Sequence, residues 1–258
     1  MTGKPLAGMR VLLSNDDGIH ATGLERLEKI ARGLSDDVWV VAPETDQSGA
    51  SHSLTLAEPV RARQLGDTKF AVRGTPTDSV LMAVLELIPD KRPDLVLSGI
   101  NRGGNLGEDV TYSGTVAAAM EGALLGIPSI ALSQHTTHIR HTKWATAEHF
   151  APDLICRLVA AGWPSNVLIN VNFPDVTEDK VKGVAVSIQG RRKPGSKLDK
   201  RHDPRGRPYY WICSARTEQP SLKGSDLAAI YGGKISVTPL HLDLTHRATC
   251  KSLRAALE

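Results

Sequence analysis

Cysteine is scarce. Cys156, Cys213 and Cys250 are the three in a chain of 258 residues, far apart, odd in number and without a CxxC pair. No disulfide framework is expected from them, and they fit reduced thiols in a cytoplasmic setting. Long apolar runs are missing too. The longest stretch, Gly122 to Leu132, is broken by Gly126 and Pro128, and a bilayer span needs about 20 apolar residues. Met1 to Arg10 carries Lys4 and Arg10 but no apolar core, so no secretory signal is expected. Two common phosphate-binding signatures, GxxxxGK[ST] and GxGxxG, are absent.

Hydrophobic residues at 41% and charged residues at 23% describe a globular chain and exclude a disordered one. The length suits one domain with a large core, or such a domain with a small appendage. The formal charge of +3 hides an asymmetry. Between Gly190 and Arg207 stand Arg191, Arg192, Lys193, Lys197, Lys200, Arg201, Arg205 and Arg207, opposed by Asp199 and Asp203. That segment carries +6, so the rest of the chain sums to −3. An acidic body bears one basic arm.

Short apolar runs alternate with helical patterns. Strands are expected at Met9 to Ser14, Val38 to Val41, Asp94 to Leu97, Ser129 to Leu132 and Val167 to Val171. Helices are expected at Thr22 to Leu34, Asp78 to Leu87, Thr115 to Leu125 and Ala145 to Ala161. This alternation predicts right-handed βαβ crossovers: an α/β, Rossmann-like three-layer sandwich around a mainly parallel sheet. Beyond about residue 180, Val184 to Ile188, Tyr209 to Cys213 and Lys234 to Val237 read as strands, with few helices between them. The basic segment 190–207 reads as an exposed hairpin arm or loop, a C-terminal β-hairpin arm beside the sandwich, and 234–258 as a C-terminal extension of a single domain spanning 1–258.

An open parallel sheet places its ligands beyond the C-terminal ends of its strands. The first strand ends in Ser14-Asn15-Asp16-Asp17-Gly18. Adjacent carboxylates raise each other's pKa unless a cation neutralises them, and a hard divalent metal with oxygen ligands would do so. Asn-Asp-Asp-Gly is equally an ordinary turn sequence. The second strand exits into Pro43 to Ser51, where Ser48 offers a weak oxygen ligand; an ordinary solvent loop is the plainer reading. The strand at Asp94 to Leu97 runs into a loop with four glycines and two asparagines between Gly99 and Gly107. Such a loop brings backbone N–H groups close to a ligand. Ser113-Gly114-Thr115 then opens an Ala-rich helix, whose N-terminus suits an anion.

Other polar tracts say less. Thr77 and Asp78 read as a helix cap and first-turn acid, with Thr75 a candidate phosphate neighbour. His135, His138 and His141 are spaced by three, but no Asp, Glu or Cys lies within the tract, so an exposed polar loop is expected.

Taken together, these segments resemble the SurE family, the survival-protein-E nucleotidases. The resemblance rests on LLSNDDGIHATGL (12–24), APETDQSGASHSLTL (42–56), GTPTDSV (74–80), SGINRGGNLGEDVTYSGTVAAAMEG (98–122) and SVTPLHLDLT (236–245). It implies a metal-dependent phosphomonoesterase that converts nucleoside monophosphates to nucleoside and phosphate by a metal-activated water. Broader phosphatase or exopolyphosphatase activity also occurs in the family. It implies one divalent cation per subunit, Mg²⁺ or Mn²⁺, on Asp16, Asp17, Ser48 and Asn101. Asp16, Asp17 and Asn101 thereby become catalytic. Asn15, Gly49, Ser113, Gly114 and Thr115 become phosphate neighbours. Arg102 stands where the family often has a small residue. A covalent aspartyl-phosphate is the rival route, but phosphatases that use it carry Asp-x-Asp, and here the aspartates are adjacent.

The family forms dimers or tetramers in which hairpin arms embrace a neighbour, so a homodimer or homotetramer is implied. The alternative function is nucleic-acid binding through the basic arm. Against it, the segment 190–207 holds no aromatic residue for base stacking. Tyr209, Tyr210 and Trp211 follow at once, and on a strand they read as core or interface packing.

Overall fold

The structure is a computed structural model that describes residues 3–138, 141–191, 196–214 and 222–257. Strand β1 (Arg10–Ser14) leads through helix α1 (Thr22–Leu34) to β2 (Asp37–Pro43). A hairpin of β3 (Arg61–Gly66) and β4 (Lys69–Arg73) precedes α2 (Pro76–Met82), which runs on into a π-helical turn at Ala83–Leu87. Then come β5 (Leu95–Arg102), α3 (Gly114–Leu124), β6 (Ser129–Gln134), α4 (Trp144–Ala161) and β7 (Val167–Phe173). The remainder holds β8 (Val184–Val186), β9 (Ser196–His202), β10 (Pro208–Ser214), α5 (Asp226–Tyr231), β11 (Ile235–His241) and α6 (Arg247–Leu257).

Among the described residues nine strands form one sheet in the order β3-β4-β2-β1-β5-β6-β7-β11-β8. All neighbours are parallel except β3 with β4 and β11 with β7. The sheet has helices on both sides, α1 and α4 packed together on one face and α2 and α3 on the other. The expected three-layer α/β class is what the chain adopts. Alternation along β1 shows why: Val11 and Leu13 enter one core, and Leu12 the opposite one. A strand buried on both faces must be apolar throughout. The stripe Leu24, Leu27, Ile30, Ala31 and Leu34 sinks α1 into the first core, each leucine contributing about 1.5–3 kcal/mol by burial.

Helix α2 starts two residues before the expected Asp78. Thr75 is its cap, accepting from Asp78 N, while the Asp78 carboxylate accepts from Thr75 N in a reciprocal box, with Pro76 in the first turn. The Thr75 hydroxyl donates to Ser53 O at 2.7 Å. It is therefore spent on local structure.

Of the two readings of the basic segment, hairpin arm or loop, its described part adopts the hairpin. Residues from Ser196 onward form β9, which pairs antiparallel with β10 as a separate two-stranded sheet. Of residues 234–258, β11 lies inside the main sheet between β7 and β8, and α6 follows as an exposed helix. Tyr209, Tyr210, Trp211 and Ile212 do lie on a strand, but they are exposed rather than packed into the core. His135 departs from the polar-loop reading: it is buried, its ring edge-on to Tyr231. Of the same tract, residues 139–140 lie outside the described residues. No helix among the described residues is long and apolar enough to cross a membrane.

Candidate metal centre and active site

The chain leaves β1 toward β2 on one side and returns to β5 on the other, so the sheet order reverses between β1 and β5. A crevice opens at such a switch point, beyond the carboxyl ends of the strands. Asn15, Asp16 and Asp17 follow β1 directly, while Asn101 and Arg102 close β5. The β5–β6 register shifts between Ser98 and Asn101. Gly99 permits this, with φ of +132° and a hypothetical Cβ only 2.3 Å from Leu132 O. The loop after β2 is tied to the β1 turn by Gln47 N donating to Asp16 O at 2.8 Å.

Asp16, Asp17, Ser48, Gly49, Asn101 and Ser113 share one cleft of about 360 Å³. Three separate sequence segments that carried the metal and phosphate expectations thus meet. Asp16 is 5% exposed, and burial raises its pKa to about 6, against a hydrogen bond from Thr115. Asp17 is half-buried; burial raises its pKa too, opposed by the Arg102 N–H at 3.3 Å and reinforced by the charge of Asp46. Neither carboxylate has a lysine, arginine or histidine side chain in ion-pair contact among the described residues. A buried and a half-buried carboxylate side by side, without an ion-pair partner, are costly, and a cation is the usual remedy.

The neutral oxygens named from the sequence could serve the same chemistry. Asn101 gives an amide N–H to Gly103 O at 2.9 Å, which leaves its carbonyl oxygen as the free donor atom. Ser48 is exposed, with its backbone N–H fixed by Asp46 Oδ1 at 2.8 Å. Asn15 gives its amide N–H to Gly18 O, and its buried Oδ1 takes no hydrogen bond among the described residues. Among those residues there is also no group of three or more His, Cys, Asp or Glu poised for a metal. Two carboxylates and two neutral oxygens, were they to hold an ion, would suit a hard cation such as Mg²⁺ or Mn²⁺.

Ser113 caps α3 by accepting from Val116 N at 3.0 Å. The N–H groups of Gly114 and Thr115 then remain for a ligand. Gly114 is required here: a Cβ would sit 2.6 Å from Asp16 Cβ. Thr115 is fully buried, and its hydroxyl donates to Asp16 Oδ1. The side chain expected beside the phosphate therefore grips a carboxylate, and only its backbone N–H is left for an anion. Sequence reasoning missed this grip because Thr115 and Asp16 are 99 residues apart.

The loop after β5 is held from beneath by side chains that sequence reasoning did not single out. Asn105 N donates to Asn172 Oδ1, while Asn170 and Asn172 both donate to Asn105 O. The Asp226 carboxylate, fully buried, accepts from Gly107 N at 2.8 Å and from Gly190 N at 2.9 Å. Gln189 adds a bond to Gly107 O. The loop and the root of the arm are thus pinned to one carboxylate.

Fold and site together define an α/β protein with an acidic cleft of oxygen donors at a sheet switch point, beside a helix N-terminus. The family model described as Survival protein SurE matches residues 11–196. The chain belongs to the SurE family. It is 59% identical over 259 residues to the 5′-nucleotidase SurE of Paramagnetospirillum magneticum, covering 99% of this chain and 100% of that one. It is 58% identical to the protein of the same description from Caulobacter vibrioides, covering 96% of each. The crystal structure of the SurE protein from Aquifex aeolicus superposes with a TM-score of 0.83 at 40% identity, covering 96% of this chain and 100% of that one.

Proposed function

We propose that this chain is a metal-dependent 5′-nucleotidase, a phosphoric monoester hydrolase that converts nucleoside 5′-monophosphates to nucleoside and inorganic phosphate. Other phosphomonoesters and polyphosphate ends are further substrates in this reading. One observation carries it above the rest: the buried Asp16 carboxylate lies against Gly114 and Thr115, at the N-terminus of α3. A cation site and an anion site therefore adjoin, which is what a phosphate bound through a metal needs. The full-length similarity to proteins described as 5′-nucleotidases supports the same reading.

Asp16, Asp17, Ser48 and Asn101 would hold the cation. When bound, it supplies positive charge toward the phosphoryl oxygens and makes water a stronger nucleophile at neutral pH. The chain's own groups orient the reaction. Thr115 fixes the Asp16 carboxylate, and the Arg102 N–H fixes Asp17. Ser113 and the N–H groups of Gly114 and Thr115 receive the remaining phosphoryl oxygens and stabilise charge that builds up during in-line displacement. Gly49 and Asn15 complete the cradle. Adjacent rather than alternating aspartates keep hydrolysis direct, without a phospho-enzyme.

Mg²⁺ or Mn²⁺ as the cation, a homodimer or homotetramer as the assembly, and the cytoplasm as the location belong to the same proposal. The exposed row Tyr209, Tyr210, Trp211 and Ile212 on the arm supports an interface between subunits. Nucleic-acid binding through the arm gains no such support: Arg201 pairs with Asp199, and Lys200 stands over Tyr210. The deciding experiment is hydrolysis of a nucleotide panel after chelation, with Mn²⁺, Mg²⁺ or Co²⁺ added back. Activity that returns with metal supports the proposal; activity that survives thorough chelation overturns it.

A further inference from the structure

The loop after β2 carries Ser48 and Gly49, and its course is fixed on both sides of them. Ala50 N donates to Gln47 O at 3.0 Å, closing a tight turn with Gly49 inside it at φ of +82°. A positive φ at that corner calls for glycine. The entry to the turn is held by main chain alone, Gln47 N on Asp16 O at 2.8 Å. The exit is held by side chains. Ser51 Oγ donates to Thr111 O at 2.7 Å, which ties the loop to the short turn Gly107–Thr111 ahead of α3. His52 Nε2 and Glu121 Oε2 stand 2.9 Å apart, which ties it to α3 itself. An ionised carboxylate can only accept, so the imidazole is the donor.

Two features set this exit apart from an ordinary surface loop. Ser51 has φ of +55°, and among the described non-glycine residues it shares a positive φ with Asp90 alone. Such a backbone persists where its surroundings over-determine it, and it gathers at functional sites. Glu121 is 9% exposed, and a carboxylate so placed is costly unless it is paired. It takes its hydrogen bond from His52, on the loop. We propose that Ser51 and His52 are positioning residues of the phosphoryl site. Anchored on Thr111 and Glu121, they set where Ser48 and Gly49 stand against Asp16 and the N-terminus of α3. The inference rests on the phosphomonoesterase reading above and deepens it.

The chain leaves little slack between anchor and site. Ser51 is two residues from Gly49 and three from Ser48, and each step along the backbone is about 3.8 Å. The anchors sit on α3 and on the turn that leads into it, the same element whose N–H groups face the phosphate. The loop and the anion-binding helix are thereby held as one frame. Without an anchor the neutral oxygen of Ser48 can drift while Asp16 and Asp17 stay in place, and a shift of about 1 Å is enough to slow a reaction severely. The next tie along the chain, Thr75 Oγ1 to Ser53 O at 2.7 Å, belongs to the cap of α2 and lies beyond the pair.

The test separates positioning from stability. In His52→Ala and Ser51→Ala, kcat/KM for a nucleoside monophosphate with Mn²⁺ should fall about 10–100-fold, and Mn²⁺ affinity, followed by electron paramagnetic resonance, should fall with it. His52→Gln keeps an N–H donor for Glu121 and should restore most of both losses. Ser51→Gly removes the hydroxyl and also the cost of the positive φ. It should unfold at a urea concentration no lower than Ser51→Ala while remaining as inactive. Thr75→Ala should leave both readouts at the wild-type level. Wild-type activity and Mn²⁺ affinity in both alanine variants overturn the assignment, as does activity that follows the urea midpoint across the series. A fall in one alanine variant alone overturns the role of the other residue, and His52→Gln as impaired as His52→Ala overturns that of the His52–Glu121 contact. A wild type that hydrolyses no phosphoester with any metal overturns the phosphatase reading itself, and the positioning role falls with it.

Discussion

The hydroxyl of Thr115 donates to the carboxylate of Asp16, joining the N-terminus of α3 to the end of β1. Thr115→Val keeps the shape and removes the donor. The carboxylate is then buried without its partner, and groups that orient metal ligands typically govern affinity by about 10–100-fold. Titration with Mn²⁺ should show a loss in that range, with KM for nucleotides changing less than metal affinity. Unchanged metal affinity would sink the role given to Thr115.

Asp17→Asn exchanges a half-buried charged ligand for a neutral group of the same size. Turnover should drop by more than the ~100-fold expected from an outer partner, while circular dichroism stays that of the wild type. A variant that retains wild-type kcat with metal present would remove Asp17 from the centre.

The pH dependence of stability follows from Asp16. Its pKa rises from 3.8 to about 6 on folding because of burial. Between those values the folded state binds more protons than the unfolded one, so this group's contribution is greatest below 3.8 and is lost as pH rises through about 6. The metal-free protein bears that penalty at neutral pH, and a cation relieves it. The rise in Tm on adding Mn²⁺ should therefore be larger at pH 7.5 than at pH 5, where protons compete for the same oxygens. Differential scanning calorimetry at the two pH values checks this, and an equal rise at both contradicts it.

Thr75→Ala separates a cap from a phosphate ligand. Loss of the reciprocal bonds with Asp78 should cost about 1 kcal/mol, within the usual 0.5–2 kcal/mol of a helix cap. Urea unfolding measures the loss. Nucleotidase kcat/KM should be that of the wild type, and a selective fall in activity would return Thr75 to the phosphate site.

Much of this molecule was legible in its sequence where burial dictates residue choice. The α1 stripe from Leu24 to Leu34 predicted both ends of the helix, because an amphipathic pattern with a 3.6-residue period has a single reading. The strands β1, β2, β5, β6 and β7 announced themselves through apolar runs. Their C-terminal ends then led to Asp16, Asp17, Ser48 and Asn101, which the fold gathers into one cleft.

The elements that escaped notice lack such a signal. Strand β3, RARQLG, lies at the sheet edge with most side chains in solvent, so no alternation marks it. Strand β9, SKLDKRH, has no apolar run and is defined by its pairing with β10. Helix α6 is the exception: its sequence is amphipathic, yet it buries no residue in this chain. His135 looked like one of three exposed histidines, yet the end of β6 carries it inward, beside a tyrosine far along the chain. Long-range partners of this kind, Thr115 with Asp16 among them, leave no trace in local spacing.

The carboxylate of Asp226 holds Gly107 and Gly190 together from inside the protein. The chain leaves that knot at Gly190 and returns to it at Asp226. Everything between is an excursion whose two ends are clamped to the same point. Such an excursion can lengthen, shorten or change its charge over evolutionary time while its roots stay fixed. A change there leaves the loop around Gly107 in place beside the cleft.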